Sequence, residues 1–250
     1  MSDPRGTIIT KRLAGIKKVI AVCSGKGGVG KSVFASTLAL SLFKHGYKVG
    51  LLDIDFTSPS THVILNVKDV SPSEEKGIIP PLIHDLRYMS ITYYSGDHPT
   101  PLRGIDVSNV LIELLAITQW GSLDVLVLDL PPGLGDVTLD TIRLIKAVTF
   151  LIITTPSKIA FETVRKLIQL LTEQHASIVG VVENMKMRES PFIREQVQEH
   201  DVTFLGEIAF DPNLEDAIGD INKLRTTKFM KAVEEILSNH PKITKQYPQR

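Results

Sequence analysis

Residues 25–32, Gly-Lys-Gly-Gly-Val-Gly-Lys-Ser, fit the pattern G-x-x-x-x-G-K-[ST]. They come after the apolar stretch 19–22 and before a predicted helix that opens at Ser32. Glycines let a chain turn tightly and approach a phosphate, and a helix N-terminus points unpaired N–H groups and the positive end of its dipole at an anion. A strand, this loop and a helix in that order predict a site for nucleotide phosphates.

The polar side chains at the end of the loop have separate predicted tasks. Lys31 is expected to reach the β- and γ-phosphates, and the Ser32 hydroxyl to hold Mg²⁺. The residues that we expect to contact the nucleotide here are Gly25, Lys26, Gly27, Gly28, Val29, Gly30, Lys31, Ser32 and Val33.

Aspartates end two further apolar runs. Asp53 and Asp55 close the run at 49–55, and Asp129 closes the run at 125–129. Phosphoryl transfer needs a metal holder and a group that orients the attacking water, and in an open parallel sheet both belong at the carboxyl ends of strands beside the loop. An Asp at a strand end can also be a helix cap or part of a solvated turn, and that alternative stays open for all three.

Short apolar runs alternate with helical patterns along the whole chain. This alternation predicts an α/β fold of three layers, with a mostly parallel sheet of about seven or eight strands. The predicted strands are 19–23, 49–52, 88–91, 125–128, 148–153, 178–182 and 202–205.

Helical spacing is clearest at 158–174, where apolar residues recur on one face and Ser157 precedes them as a candidate N-cap. A second helix is predicted at 107–118 with Asp106 as its cap, and a final helix at 224–237.

The chain has 250 residues, of which 43% are hydrophobic, and this is enough for the core of one domain. We place that domain at 18–239. The segments 1–17 and 240–250 are expected to be flexible, with residues 1–14 poorly ordered.

Charge and hydropathy narrow the expected partners. Lys plus Arg and Asp plus Glu both number 28, so the formal net charge is zero and no nucleic-acid partner is expected. We find no apolar core of a signal peptide, no run near the ~18 residues that span a bilayer, and too few apolar groups after residue 240 for a stable membrane anchor. A cytoplasmic protein is therefore expected.

Lys26 makes the loop read K-G-G-x-G-K-S. This pattern resembles the deviant Walker A ATPases, which include MinD, ParA, the nitrogenase iron protein and the Mrp/ApbC carriers. In those families the extra lysine crosses a dimer interface and touches the partner's nucleotide. The resemblance therefore implies a sandwich homodimer.

Longer segments extend the resemblance over about residues 18–237. They are similar, in order and spacing, to the Mrp/ApbC family of ATP-dependent iron-sulfur cluster carriers. The segments are GLLDIDFTSPS, WGSLDVLVLDLPPGLGD, LIITTPSKIAFETVRK, GVVENM and FLGEIAFDPNLEDA. The resemblance implies a MinD-like P-loop NTPase that binds and hydrolyses ATP as a homodimer and acts on a client protein.

The resemblance also implies site roles. Lys26 would be the trans-acting signature lysine, Lys31 would act on the phosphates, and Asp55 would orient or activate the water. The implied Mg²⁺ set is Ser32, Asp55 and Asp129.

Three further roles follow from the same resemblance. Asn184 would read the adenine edge, with the stretch from Phe210 through Asp211 to Pro212 lying against the base. Gly133, after Asp129, resembles the second-switch glycine whose N–H lies near the γ-phosphate.

The chain departs from the family after Asn184. Cluster-carrying members have a Cys-x-x-Cys there, whereas residues 185–200 contain no cysteine. The single cysteine, Cys23, is expected to be a small buried hydrophobe, so an iron-sulfur cluster is not expected. His175, His200 and Asp201 are expected to be solvated rather than a substitute metal site. Ser58 replaces a common glycine and is expected to leave Asp55 in place.

The leading hypothesis is a dimeric ATPase whose nucleotide cycle changes its grip on a client protein. A MinD/ParA-like positioning ATPase is one alternative. A nucleotide-binding scaffold without catalysis is the other.

Overall fold

The computed structural model of the protein describes residues 4–95 and 105–244. Its strands are β1 (Ile16–Ser24), β2 (Val49–Asp53), β3 (Ser73–Glu74), β4 (Ile78–Ile79), β5 (Leu82–Ile83), β6 (Leu86–Ser90), β7 (Leu123–Asp129), β8 (Val148–Thr154), β9 (Ser177–Lys186) and β10 (Phe204–Ala209). Its helices are α1 (Arg5–Leu13), α2 (Lys31–Lys44), α3 (Thr61–Ile64), α4 (Thr92–Ser95), α5 (Ile105–Ile117), α6 (Asp136–Leu144), α7 (Lys158–Glu173), α8 (Phe192–Glu199), α9 (Ile221–Leu224) and α10 (Lys228–Asn239).

One sheet of eight strands organises the molecule, in the order β10-β9-β8-β1-β7-β2-β6-β5. All neighbouring strands are parallel except β5 and β6. Each of the seven predicted runs contributes a strand, and the two-residue β5 adds the eighth. The predicted three-layer α/β fold with a mostly parallel sheet is therefore confirmed.

The sheet is buried on both faces. Ile20 and Val22 of β1 pack on one side, in the core layer that α2 and α10 cover. Ala21 and Cys23 point to the other side, where α1, α5, α6, α7 and α8 form the second layer. Burial of both faces explains why the central strands read as continuous apolar runs rather than as alternating ones.

Of the two helix caps predicted from the sequence, one is confirmed and one is wrong. Ser157 caps α7, since its Oγ accepts a hydrogen bond from the Ala160 N–H at 3.3 Å. The predicted helix 107–118 begins at Ile105, so Asp106 lies inside the first turn and is not the cap. The predicted final helix is divided into α9 and α10, because Asp220 caps the first and Thr227 the second.

Both chain flanks differ from their expected disorder. Residues 5–13 form α1, in which Ile9 is fully buried. Residues 241–243 form a 3₁₀ turn that buries Ile243. The prediction of poor order is therefore wrong for these residues, because one apolar side chain in each flank enters the core. Residues 1–3 and 245–250 lie outside the described residues, and the domain bounds 18–239 stay a prediction.

Helix length was also compared with the thickness of a bilayer. No helix within residues 4–95 and 105–244 is long and apolar enough to cross a membrane. The cytoplasmic location stays a prediction.

Candidate functional site

The phosphate-loop sequence lies between β1 and α2 and depends on glycine at two kinds of position. Gly28 and Gly30 have φ angles of 75° and 81°, in the left-handed region that favours glycine. A Cβ atom on Gly30 would also collide with the side-chain nitrogen of Asn184. The loop therefore needs glycine both for its turn and for the close approach of β9.

Lys31 begins α2 and points at the end of β7. Its Nζ donates to Asp129 Oδ1 at 2.5 Å and to Ser32 Oγ at 3.2 Å. Lys31 is 6% exposed and Asp129 is fully buried. Burial raises the pKa of Asp129 to about 7, an effect that the Lys31 charge opposes. A lysine is thus held where the ends of β1 and β7 meet α2.

The oxygen atoms around this pair fit a magnesium ion. Asp129 Oδ2 is buried and has no hydrogen-bond partner among the described residues. Asp129 Oδ1 and Ser32 Oγ lie beside it around Lys31, and Asp55 follows the neighbouring strand β2. Carboxylate and hydroxyl oxygens are the ligands that Mg²⁺ prefers. The donor set predicted from the sequence, Ser32, Asp55 and Asp129, therefore suits this ion.

Asp55 lies in the loop between β2 and α3 and is 5% exposed. Its Oδ1 accepts hydrogen bonds from Thr57 Oγ1 at 2.9 Å and from the Ser58 N–H at 3.1 Å. Ser58, the departure from the family pattern, therefore contacts Asp55 through its main chain. Its side chain is not needed for that bond.

Asp53 is fully buried at the end of β2, next to Asp129 on β7. Burial raises its pKa, and hydrogen bonds from Thr61 oppose the rise. Both Asp53 oxygens accept from donors within residues 55–61. Asp53 is neither the cap nor a solvated turn residue: the N-cap of α3 is Ser60, and Asp53 binds the N–H of Ser60 and Thr61 from seven and eight residues earlier in the chain.

A cavity of about 200 Å³ lies beyond the loop. It brings together residues predicted to bind the nucleotide with residues that the sequence reading missed. The predicted group is Gly30, Val33, Asn184, Phe210, Asp211 and Pro212, and the missed group is Met185, Ala209, Leu214, Glu215, Ile218 and Phe229. Phe229 was missed because its apolar spacing in α10 is indistinguishable from that of core residues.

Asn184 forms one wall of this cavity and is 2% exposed. Its Nδ2 donates to the Val29 carbonyl oxygen at 2.9 Å. Since a carbonyl oxygen only accepts, this bond fixes which way the side-chain amide faces. The base-reading candidate is therefore connected directly to the phosphate loop.

Two other predicted site residues, Lys26 and Gly133, lie in the loops that follow β1 and β7. Lys26 is exposed, in contrast to Lys31. The Gly133 N–H, predicted to lie near the γ-phosphate, donates to the Ser24 carbonyl at 2.8 Å. This bond ties the loop after β7 to the end of β1.

Cys23 is fully buried in the second core layer. Burial raises the pKa of its thiol to about 12. His200 stacks on Phe161 with ring centroids 6.4 Å apart. Across residues 4–95 and 105–244, no group of three or more His, Cys, Asp or Glu side chains is arranged to hold a metal ion.

Comparison with known sequences gives a consistent set of relatives. A sequence model of the ParA group, described as NUBPL iron-transfer P-loop NTPase, matches residues 15–242. The iron-sulfur cluster carrier protein of Aquifex aeolicus is 37% identical over 220 residues, 82% of this chain and 60% of that protein. The carrier protein of Salmonella typhimurium is 41% identical over 176 residues, 69% of this chain and 48% of that protein. The chain thus spans about half to three fifths of these relatives.

Solved structures with the same architecture bind nucleotides. A nucleotide-binding protein of Archaeoglobus fulgidus in complex with ADP has a TM-score of 0.74 and 30% identity, covering 88% of this chain and 93% of that one. MinD of Pyrococcus horikoshii complexed with Mg-ADP has a TM-score of 0.66 and 20% identity, covering 90% of this chain and 96% of that one. The second likeness concerns the fold alone, and it confirms the predicted MinD-like P-loop architecture.

The contact between Gly30 and Asn184 leads to a prediction about nucleotide binding. Gly30→Ala adds a Cβ where the Asn184 amide lies, so we expect affinity for a fluorescent ADP analogue to fall at least about tenfold. Gly46→Ala is the matched control, because Gly46 also has a positive φ, 87°, and open space around its Cβ position. It should lose about 1 kcal/mol of stability and keep its affinity. Equal affinities in both variants would contradict the assignment of this cavity.

Proposed function

The chain belongs to the NUBPL iron-transfer family of P-loop NTPases, and on that premise we propose that it is a Mg²⁺-dependent, homodimeric ATPase that acts on a client protein. The observation that carries the proposal is the contact of Lys31 with Ser32 and Asp129, at the edge of the sheet where Asp55 follows the adjacent strand β2. Phosphoryl transfer depends on positioning and on electrostatic stabilisation, and these four side chains provide groups for both.

Lys31 is the residue that we assign to the β- and γ-phosphates. Its ammonium group is paired with the buried carboxylate of Asp129. An arriving triphosphate brings several anionic oxygens to the same point, so the ammonium exchanges one anionic partner for another at little desolvation cost. The N–H groups at the start of α2 face the same anion.

Ser32, Asp55 and Asp129 are the proposed holders of Mg²⁺. When bound, the ion neutralises charge on the phosphate oxygens. Asp129 is suited to this role because both of its carboxylate oxygens become available once Lys31 turns to the phosphates.

Asp55 is the proposed water-orienting group. Thr57 and Ser58 hold its Oδ1. We assign Oδ2 to the attacking water, where a carboxylate accepts the water's hydrogen and fixes the direction of its lone pair. Hydrolysis is expected to be slow until a partner engages.

Asn184 supports adenine as the base. Its nitrogen is committed to the Val29 carbonyl, so its Oδ1 is the atom we assign to the base. The exocyclic amino group of adenine donates to such an oxygen, whereas guanine has a carbonyl at that position. Asp211 and Pro212, which line the same cavity, are proposed to lie against the base.

Lys26 is the proposed link between subunits. Its exposed position lets the side chain reach a second copy of the chain instead of its own phosphates. Dimerisation would then depend on nucleotide, and separation after hydrolysis would change the surface offered to the client.

Because relatives of this chain are named iron-sulfur cluster carriers, its ability to bind a cluster must be considered. The chain has one cysteine, and its thiol is buried with a raised pKa, whereas cluster ligation needs accessible thiolates. We therefore propose that the nucleotide cycle of this chain runs without a cluster of its own.

Substitutions in the proposed site should separate binding from hydrolysis. Lys31→Ala should lower ATP affinity about 10- to 100-fold, since it removes a charge-assisted contact, and should abolish turnover. Asp55→Asn keeps a side-chain oxygen that can hold Mg²⁺ but loses the carboxylate charge that activates the water, so it should bind ATP within about threefold of wild type and lose turnover at least about 100-fold. Fluorescent-nucleotide titration and phosphate release are the measurements.

Lys44→Ala serves as the control. Lys44 is an exposed lysine at the C-terminal end of α2, far from the phosphate loop, and it pairs with Glu234 of α10. It should match wild type in both assays.

With ATP, light scattering should show a dimer for Asp55→Asn and a monomer for Lys26→Ala. Unchanged affinity and turnover in Lys31→Ala would rule out the phosphate-site assignment.

The missing cysteines lead to a separate prediction. After anaerobic reconstitution with iron and sulfide, the protein should show no cluster absorbance and no stoichiometric iron, while nucleotide binding stays intact. Cys23→Ser should give the same iron content as wild type. Iron and labile sulfide near stoichiometric amounts, lost in Cys23→Ser, would show that the buried thiol becomes a ligand and that the proposal is wrong.

A further inference from the structure

Asp53 connects both ends of the loop that carries Asp55. Its Oδ1 accepts a hydrogen bond from the Asp55 N–H at 3.1 Å. Its Oδ2 accepts from the N–H of Ser60 at 3.2 Å and of Thr61 at 3.1 Å. One fully buried carboxylate therefore holds residues that are two, seven and eight positions further along the chain.

A chain of side-chain hydrogen bonds orients this carboxylate from the neighbouring strand. Thr61 Oγ1 lies 2.6 Å from Asp53 Oδ2 and 2.9 Å from the Tyr88 hydroxyl. An ionised carboxylate only accepts, and a threonine hydroxyl has a single hydrogen. Thr61 therefore donates to Asp53, and Tyr88 donates to Thr61. Tyr88 is buried on β6, which pairs with β2 in the sheet.

Asp55 is consequently held from two directions. Its main-chain N–H is fixed by Asp53, and its side chain by Thr57 and Ser58 within the loop. We propose that Asp53, supported by Thr61 and Tyr88, is a positioning residue that keeps Asp55 aimed at the nucleotide phosphates. This inference rests on the hydrolytic role proposed for Asp55.

The bonds of Asp53 explain why its role is positioning and not contact with the nucleotide. Its two oxygens accept four hydrogen bonds from the protein itself. Loss of the hydrogen bond from the Asp55 N–H to Asp53 leaves the phosphate loop intact but lets Asp55 shift. A displacement of about 1 Å at a reacting group can lower the rate about 100-fold.

Asp53→Asn removes the hydrogen bond from the Asp55 N–H with little change in the shape of the side chain. The amide oxygen can still accept from Ser60 and Thr61, but the amide nitrogen then faces the Asp55 N–H, and two donors cannot bond. We expect kcat for ATP to fall about 10- to 100-fold, while KM and the Kd of a fluorescent ATP analogue stay within about threefold.

The matched control is Asp220→Asn. Asp220 likewise accepts from main-chain N–H groups at the start of a short helix, those of Asn222 and Lys223, but that helix is α9. Its kcat should equal that of wild type. A loss of kcat in Asp220→Asn equal to that in Asp53→Asn would mean a general stability effect and would overturn the inference.

Thr61 gives a second test that does not depend on the folding of the Asp53 variant. Thr61→Val removes the hydroxyl and should lower kcat about three- to tenfold, and Thr61→Ser should restore it to within about twofold. Tyr88→Phe should lower kcat in the same direction as Thr61→Val. Equal kcat in Thr61→Val and wild type would overturn the inference.

The outcome for Asp55 separates the two proposals. If Asp55→Asn turns over normally, the hydrolytic role and this inference both fail. If Asp55→Asn is inactive while folded Asp53→Asn keeps wild-type kcat, this inference alone fails. An equal loss of affinity and kcat in Asp53→Asn would also overturn it.

Discussion

The buried ion pair between Lys31 and Asp129 is the interaction on which the site depends. The two groups are 2.5 Å apart where α2 meets the carboxyl ends of β1 and β7. Burying either charge alone would cost several kcal/mol, so each needs the other until a ligand arrives. The pair keeps a cation beside the phosphate loop. It also explains how Asp129 can stay fully buried at a strand end.

Around this pair, hydrogen bonds connect the loops that a nucleotide would touch. Asn184 binds the Val29 carbonyl of the phosphate loop, and Gly133 binds the Ser24 carbonyl before it. Asp53 and Asp129 lie side by side on adjacent strands, and Asp53 holds the loop of Asp55. The Ile54 N–H also donates to the Asp129 carbonyl oxygen, so hydrogen bonds join the cavity beside Asn184, the phosphate loop and both strand-end loops.

Much of this architecture can be predicted from the sequence, because it depends on local signals. Apolar runs located the seven main strands, and the glycine pattern located the loop. The order of α1 was missed because it depends on helices far along the chain: Ile9 and Leu13 pack against them, and Arg12 donates to the Ala116 carbonyl oxygen of α5. The role of Asp53 was missed for a similar reason. Thr61 and Tyr88 are far apart in the chain, and only the pairing of β2 with β6 brings them together.

A crystal structure with Mg²⁺ and a non-hydrolysable ATP analogue would show directly whether residues 25–32 bind the phosphates. We expect Lys31 Nζ to leave Asp129 and to lie within hydrogen-bond distance of a β- or γ-phosphate oxygen, with Asp129 directed at the metal or its water shell. The base should lie beside Asn184 in the cavity of about 200 Å³. A bound analogue whose phosphates do not touch residues 25–32, with the Lys31–Asp129 pair unchanged, would contradict the phosphate-site assignment.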